Sequence, residues 1–200
     1  RMLQEGCYRE LILRARYNDE GRALMLAYAV GSNLDHIGVT YYQEARLLIS
    51  AADLDAVPPV AAVYESDDDY RARCASKPES YSTAGPAGAY VWHAKSADGN
   101  VLDAFCDSPE PGTSRVAVLS RIGDGTPSAG LLATVLAALS GESIRPLCEE
   151  VLVIAADVAS YAIDFTLFIL PGPDASIVRT EAIAALQADP TDTDAMLGAA

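Results

Sequence analysis

The chain has 200 residues, of which half are hydrophobic and 21% are charged, a composition that excludes an intrinsically disordered protein. Fourteen Lys and Arg residues against 28 Asp and Glu residues give a net charge of −14, so nucleic acid would be repelled. No apolar run approaches the ~20 residues of a membrane span, and the first residues do not resemble an export signal. We therefore expect a soluble protein that binds neither nucleic acid nor membrane.

The first predicted element is a long helix from Gln4 to Val30. Its apolar residues recur at three- and four-residue steps, as one face of a helix requires, although Asn18 weakens its middle. Gly31 is the expected C-terminal glycine of this helix, and a short turn over residues 34–37 follows. Pro58-Pro59 then halts regular structure and indicates the first domain boundary.

The central region begins with a short predicted helix behind the acidic run 65–69. Ser66 or Asp67 can cap that helix, and the carboxylates favour its N-terminal dipole. The alternative interpretation of this acidic run is a calcium-binding loop, but the glycine turn and the distal glutamate that such a loop needs are missing. Thr126 and Pro127 predict the start of a second helix that carries an apolar stripe.

Between these helices, turn residues separate three segments that read as strands of an antiparallel meander. The predicted strands are residues 89–96, 100–107 and 115–120. Farther along, the apolar run 151–156 is expected to pair with the strictly alternating residues 161–169 as a hairpin, and a helix follows from Ile177.

The predicted fold class is therefore α+β. It combines a long N-terminal helix, a central antiparallel β meander with a helix, and a C-terminal β-hairpin plus helix that is an incomplete α/β sandwich. The predicted domains are a helical N-terminal region, a central α+β domain and a partial C-terminal α+β domain, at residues 1–62, 63–147 and 148–200.

The side chains that could support catalysis are few and scattered. Neither His36 nor His93 belongs to a metal-binding pattern, no GxSxG elbow is present, and the four cysteines lie too far apart for a zinc motif. We therefore expect no catalytic residue, no cofactor and no metal. One alternative is a small hydrolase or metal-dependent enzyme that uses Asp35, His36 and the cluster 67–69.

Nine short segments, taken in order along the chain, resemble the baseplate J-like family of contractile phage tails. They are Met25–Ala29, Gly31–Asp35, Glu65–Asp67, Tyr81–Tyr90, His93–Ala97, Ser108–Gly112, Gly123–Pro127, Arg145–Leu147 and Gly172–Asp174. The resemblance covers about residues 5–187. Family members are usually longer at both ends, which implies that this chain is a fragment, an engineered piece or a decayed prophage copy.

The resemblance implies a non-enzymatic subunit of the baseplate wedge, which surrounds the central hub and passes a rearrangement to the sheath. Copies would associate with one another and with a wedge partner similar to tail protein I, in the virion after assembly in the host cytoplasm. A wedge subunit of a phage-tail-like bacteriocin or of another contractile injection system is the alternative, because its architecture would be the same.

Two sets of residues are candidates for this role. Residues of the N-terminal helix could offer an association surface, although they could equally fill the core of the monomer: Leu11, Tyr17, Leu24 and Tyr28. Glycines at predicted turns are expected to supply positive φ or close backbone approach, and so to fix the shape of the contact surface: Gly85, Gly88, Gly99 and Gly125.

Overall fold

A computed structural model describes residues 2–159, 166–168 and 174–188. The helices, in chain order, are α1 (Met2–Ala23), α2 (Gly31–Ile37), α3 (Asp67–Ser76), α4 (Ala87–Ala97), α5 (Ala129–Leu139) and α6 (Ala175–Ala188). The strands are β1 (Leu48–Ser50), β2 (Val63–Tyr64), β3 (Val101–Glu110), β4 (Thr113–Ser120) and β5 (Glu150–Ala155). A π-helical turn extends α2, and a 3₁₀ turn extends α3. The α+β fold class is thereby confirmed.

The main core lies between a three-stranded sheet and two helices. The strands follow the order β3-β4-β5, and α4 and α5 pack together against one face of this sheet. Val116 and Val118 of β4 and Val135 and Leu139 of α5 are fully buried there. Burial of an aliphatic side chain of this size contributes about 1.5–3 kcal/mol, so this layer is the main source of hydrophobic stabilisation.

The predicted strand at 89–96 is wrong, since these residues lie in α4. The helix begins after Pro86 and ends before Gly99, and it is rich in alanine, a strong helix former. Tyr90-Val91-Trp92 gave the segment its strand-like composition, but a short apolar run does not distinguish a buried helix from a strand. The expected three-stranded meander is therefore the antiparallel hairpin β3–β4 alone.

The third strand of the sheet comes from farther along the chain. β5 pairs with β4 in parallel, from Thr113 opposite Glu150 to Val118 opposite Ala155, and α5 provides the crossover. The strand at 151–156 is confirmed, but β4 is its partner in the structure. The hairpin predicted with 161–169 lies largely outside the described residues, and the three-domain division stays a prediction.

The N-terminal helix is shorter at its C-terminal end than predicted. α1 is continuous through Asn18 and ends at Ala23, where hydrogen-bonded turns replace the expected last helical residues. Gly31 does not end α1; it begins α2 with a φ of 53°. Ser66 caps α3, as predicted, by accepting a hydrogen bond from the backbone amide of Asp69, whereas α5 is capped by Ser128 and not by Thr126.

A buried ion-pair cluster organises the N-terminal half. The Arg73 guanidinium, 3% exposed, donates to both carboxylate oxygens of Glu65 at 2.9 and 2.8 Å and to Glu44 at 3.0 Å. Burial by itself would lower the pKa of Arg73, but the hydrogen bonds and charges of the two glutamates raise it above its ordinary value. The guanidinium therefore remains charged inside the protein.

Two guanidinium groups lie close to the Tyr70 ring in this cluster. Arg46 and Arg73 stand 4.9 and 5.4 Å from its ring centroid, and its hydroxyl donates to the carbonyl oxygen of Glu44 at 2.6 Å. Burial raises the pKa of Tyr70 to about 12, so the phenol keeps the proton that it donates. The same helix holds the central region, because Trp92 Nε1 donates to the Arg73 carbonyl at 3.0 Å.

Arg73→Met should lower the free energy of unfolding by about 3–5 kcal/mol, because it leaves the Glu65 carboxylate buried without its cation. Urea unfolding followed by circular dichroism measures this. Arg14→Met is the matched control: its ion pair with Glu10 is exposed, so the change should cost less than about 0.5 kcal/mol. Equal losses in the two variants would contradict the role of the buried pair.

Candidate assembly surface

Helix α1 extends away from the rest of the protein. All residues from 5 to 22 are exposed, although the segment contains large apolar side chains. Cys7, Tyr8, Leu11, Ile12 and Ala15 follow helical spacing and lie on one side, and we name this surface the α1 stripe. An apolar helix face of this kind is characteristic of a surface that another helix covers.

Charged pairs border the α1 stripe. Arg9 donates to Glu5 at 2.9 Å, and Arg14 donates to Glu10 at 2.6 Å, both within α1. Such exposed i,i+4 pairs stabilise a helix by only about 0.3–0.5 kcal/mol each. Their arrangement on either side of an apolar strip nevertheless resembles that of a helix in a helical bundle.

The four residues predicted to form an association surface are all exposed. Leu11, Tyr17, Leu24 and Tyr28 expose 66, 71, 80 and 59% of their surface, so the alternative that they fill the core of the monomer is wrong. They do not form one continuous face, because Leu11 and Tyr17 point about 120° apart around α1 and the other two lie beyond its end. Their role in association stays a prediction.

The junction below α1 is held firmly. Arg71 donates to the carbonyl oxygens of Leu26 and Ala29 at 3.0 and 2.8 Å, and Ala29 is fully buried. Asp67 accepts a hydrogen bond from the Gly31 amide at 2.9 Å, which together with its bond to Arg46 lowers the pKa of this carboxyl. The turn that follows α1 is therefore anchored to α3.

The four candidate glycines have different environments. Gly85 and Gly125 have φ of 77° and 98°, a region in which side-chain-bearing residues are strained. Gly99 has no such φ, but its backbone lies so close to Leu48 that a Cβ atom would collide with the Leu48 carbonyl oxygen. A Cβ on Gly88 would meet only the end of the Glu79 side chain, at 2.9 Å.

The residues of the enzyme alternative come together in part. Asp35 and Asp67 both pair with Arg46, at 2.6 and 2.8 Å, so a cation of the protein already occupies the space between them. His36 is exposed and its Nδ1 lies 3.4 Å from Thr40 Oγ1. Within the described residues no cluster of three or more His, Cys, Asp or Glu side chains could hold a metal ion.

A second exposed apolar surface, at residues 53–60, was not predicted from the sequence. Leu54 and Val57 expose 78 and 98% of their surface at the end of a hairpin. The signal available in the sequence was Pro58-Pro59, which indicated a boundary but not a projecting loop. In the described parts of the chain no helix is both long and apolar enough to span a membrane.

Gly99→Ala should lower the free energy of unfolding by about 1–3 kcal/mol, because the new methyl group meets the rigid backbone at Leu48. Gly88→Ala is the matched change in α4; the Glu79 side chain can move aside, so stability should be unchanged or slightly higher. Thermal unfolding of both variants gives the comparison. Equal effects would contradict the close approach at Gly99.

Stability should fall as the pH drops below about 6.5, because burial lowers the pKa of His93 from that ordinary value and nearby Lys77 lowers it further. The unfolded chain then binds a proton that the folded chain does not, so acid favours unfolding until the folded-state pKa is passed. Urea unfolding between pH 5 and 7.5 should show a weaker slope in His93→Gln. The exposed His36 provides the control, His36→Gln, and identical slopes in all three proteins would rule out His93 as the source.

Comparison with known proteins agrees with the resemblance seen in the sequence. The family model of the baseplate J-like N-terminal domain matches residues 1–53, and that of the baseplate J-like central domain matches residues 82–155. Baseplate protein J of Escherichia phage P2 is 45% identical over 188 residues, which cover 94% of this chain. The chain spans only 62% of the length of that relative. With two family domains in order and this identity, the chain belongs to the baseplate J-like family.

Proposed function

We propose that this chain is a structural subunit of the baseplate wedge of a contractile phage tail, without enzymatic activity. It assembles around the central hub, contacts further copies and other baseplate proteins, including a partner similar to tail protein I, and passes rearrangement to the sheath. It is made in the host cytoplasm and resides in the tail baseplate. Its similarity to baseplate protein J of phage P2 supports this proposal.

The observation that carries the proposal is the exposure of α1. The exposed apolar residues of the α1 stripe are costly to leave in water, and their burial becomes favourable once a neighbouring subunit covers them. The hydrogen bonds from Arg71 to Leu26 and Ala29 anchor the turn after α1 to α3. A rigid projecting helix is suited to transmitting movement between subunits.

The chemistry of the described residues favours a structural role over the hydrolase alternative. The carboxylates that would have to bind metal or activate water, Asp35 and Asp67, are neutralised by Arg46. The same architecture would serve in a phage-tail-like bacteriocin. The presence or absence of capsid genes beside this one separates the two kinds of particle.

Leu11→Ser should reduce incorporation of the chain into tails by about tenfold, because it removes apolar surface from the α1 stripe at a contact of the assembled state. The measurement is sedimentation of an induced lysate, with mass spectrometry of the chain relative to sheath and tube proteins. Because Leu11 is exposed in the free chain, the unfolding curve of the Leu11→Ser variant should match that of the wild-type protein.

Leu13→Ser is the matched control, since Leu13 is also exposed but lies on the other side of α1. It should leave incorporation close to the wild-type level. If the wild-type chain stays among the free proteins while other tail proteins sediment, the proposed function is wrong. If both variants sediment normally, α1 is not the contact surface.

A further inference from the structure

Residues 47–65 form a hairpin that projects from the N-terminal half, which we name the arm. β1 and β2 pair along it, and two backbone hydrogen bonds join Asp53 and Val60 near its end, at 3.0 and 2.9 Å. Leu48, Val63 and Tyr64 expose about half of their surface, so little of the arm is covered by the rest of the chain. The base of the arm packs on the protein where Leu48 meets Gly99, and its outer part is exposed to solvent.

The base of the arm is fixed by the buried ion-pair cluster. The Glu65 amide donates to the Leu47 carbonyl at 2.9 Å, and the Leu47 amide donates to the Glu65 carboxylate at 3.1 Å. That carboxylate is the one that Arg73 holds with two hydrogen bonds. The two strands of the arm therefore start from a rigid position.

The tip of the arm, residues 53–60, is ordered by its own hydrogen bonds. Asp53 Oδ1 accepts from the amides of Asp55 and Ala56, each at 3.1 Å. Leu54 and Val57 are left almost entirely in solvent. A tip that is ordered before binding loses little conformational entropy on association, so it is suited to insertion into an apolar recess.

Charge indicates what kind of surface would surround that recess. Residues 48–64 contain two carboxylates, Asp53 and Asp55, and no basic residue. A second copy of the chain is a poor match: its net charge is −14, and within the described residues nine Lys and Arg side chains already pair with its own carboxylates. Two carboxylates beside the tip also disfavour an anionic membrane.

We propose that the tip of the arm inserts Leu54 and Val57 into an apolar recess, rimmed by Lys or Arg, on a different protein subunit of the same tail. This inference rests on the proposed function, since it names a partner for a baseplate component. The contact is separate from α1 and falls between the two segments that match the family models. Several modest contacts of this kind reinforce one another within one assembly.

The test places a photo-crosslinking amino acid at Val57 during tail production, followed by irradiation, sedimentation and mapping of the joined peptides. Leu147 is the matched probe site, since it is equally exposed but lies far from the arm in sequence. We expect the Val57 probe to join one site on another tail subunit, an apolar recess with neighbouring Lys or Arg. The Leu147 probe should not join that site.

Asp55→Lys should lower the yield of the Val57 adduct by about tenfold, and a Lys→Glu change in the mapped rim should restore it. Glu142→Lys makes the same charge change at another exposed position and should leave the yield unchanged. Tails that contain the chain but give no Val57 adduct, or an adduct only with a second copy or with lipid, overturn the arm proposal alone. Absence of the chain from tails overturns this proposal and the proposed function together.

Discussion

The N-terminal half depends on the buried ion pair between Arg73 of α3 and Glu65. A buried carboxylate and guanidinium tolerate loss of water only when both are fully hydrogen-bonded, and here Glu44 and the Ala45 carbonyl complete the set around Arg73. Glu65 directly precedes α3, whereas Glu44 and Ala45 are neighbours in the segment before β1. Because breaking one contact strands a charge, the segments around α3 are held together as a unit.

Both exposed surfaces are supported by this unit. The arm begins at Leu47 and ends at Glu65, which are hydrogen-bonded to each other. The turn below α1 is held by Arg71, which lies two residues before Arg73 on α3. Trp92 and the close backbone approach of Gly99 to Leu48 join the same unit to the three-stranded sheet. The polar core anchors the bases of the two apolar surfaces that project from it. Such an arrangement is suited to a protein that binds several neighbouring subunits in defined positions.

Sequence reasoning succeeded where the signal is local and failed where it is not. The cap at Ser66, one of the two residues proposed for it, and the existence of α1 follow from neighbouring residues and were predicted, but the C-terminal end of α1 was not. Tyr90-Val91-Trp92 misled because aromatic and β-branched residues pack equally well in a buried helix. The parallel pairing of β5 with β4 and the Arg73 cluster join distant segments, which no periodicity encodes. The apolar residues of α1 were recognised, but the pattern alone does not show whether they face a core or solvent.

Electron cryo-microscopy of the isolated tail tests the central claim most directly, because it shows where the chain lies and what covers its exposed surfaces. We predict density for this fold in the baseplate around the hub, with α1 buried against neighbouring subunits. A baseplate resolved to side-chain detail without this fold would contradict the account. A chain that is present in the baseplate but leaves α1 in solvent along its whole length would also contradict this claim, because the apolar residues of α1 would then have no partner in the assembled tail.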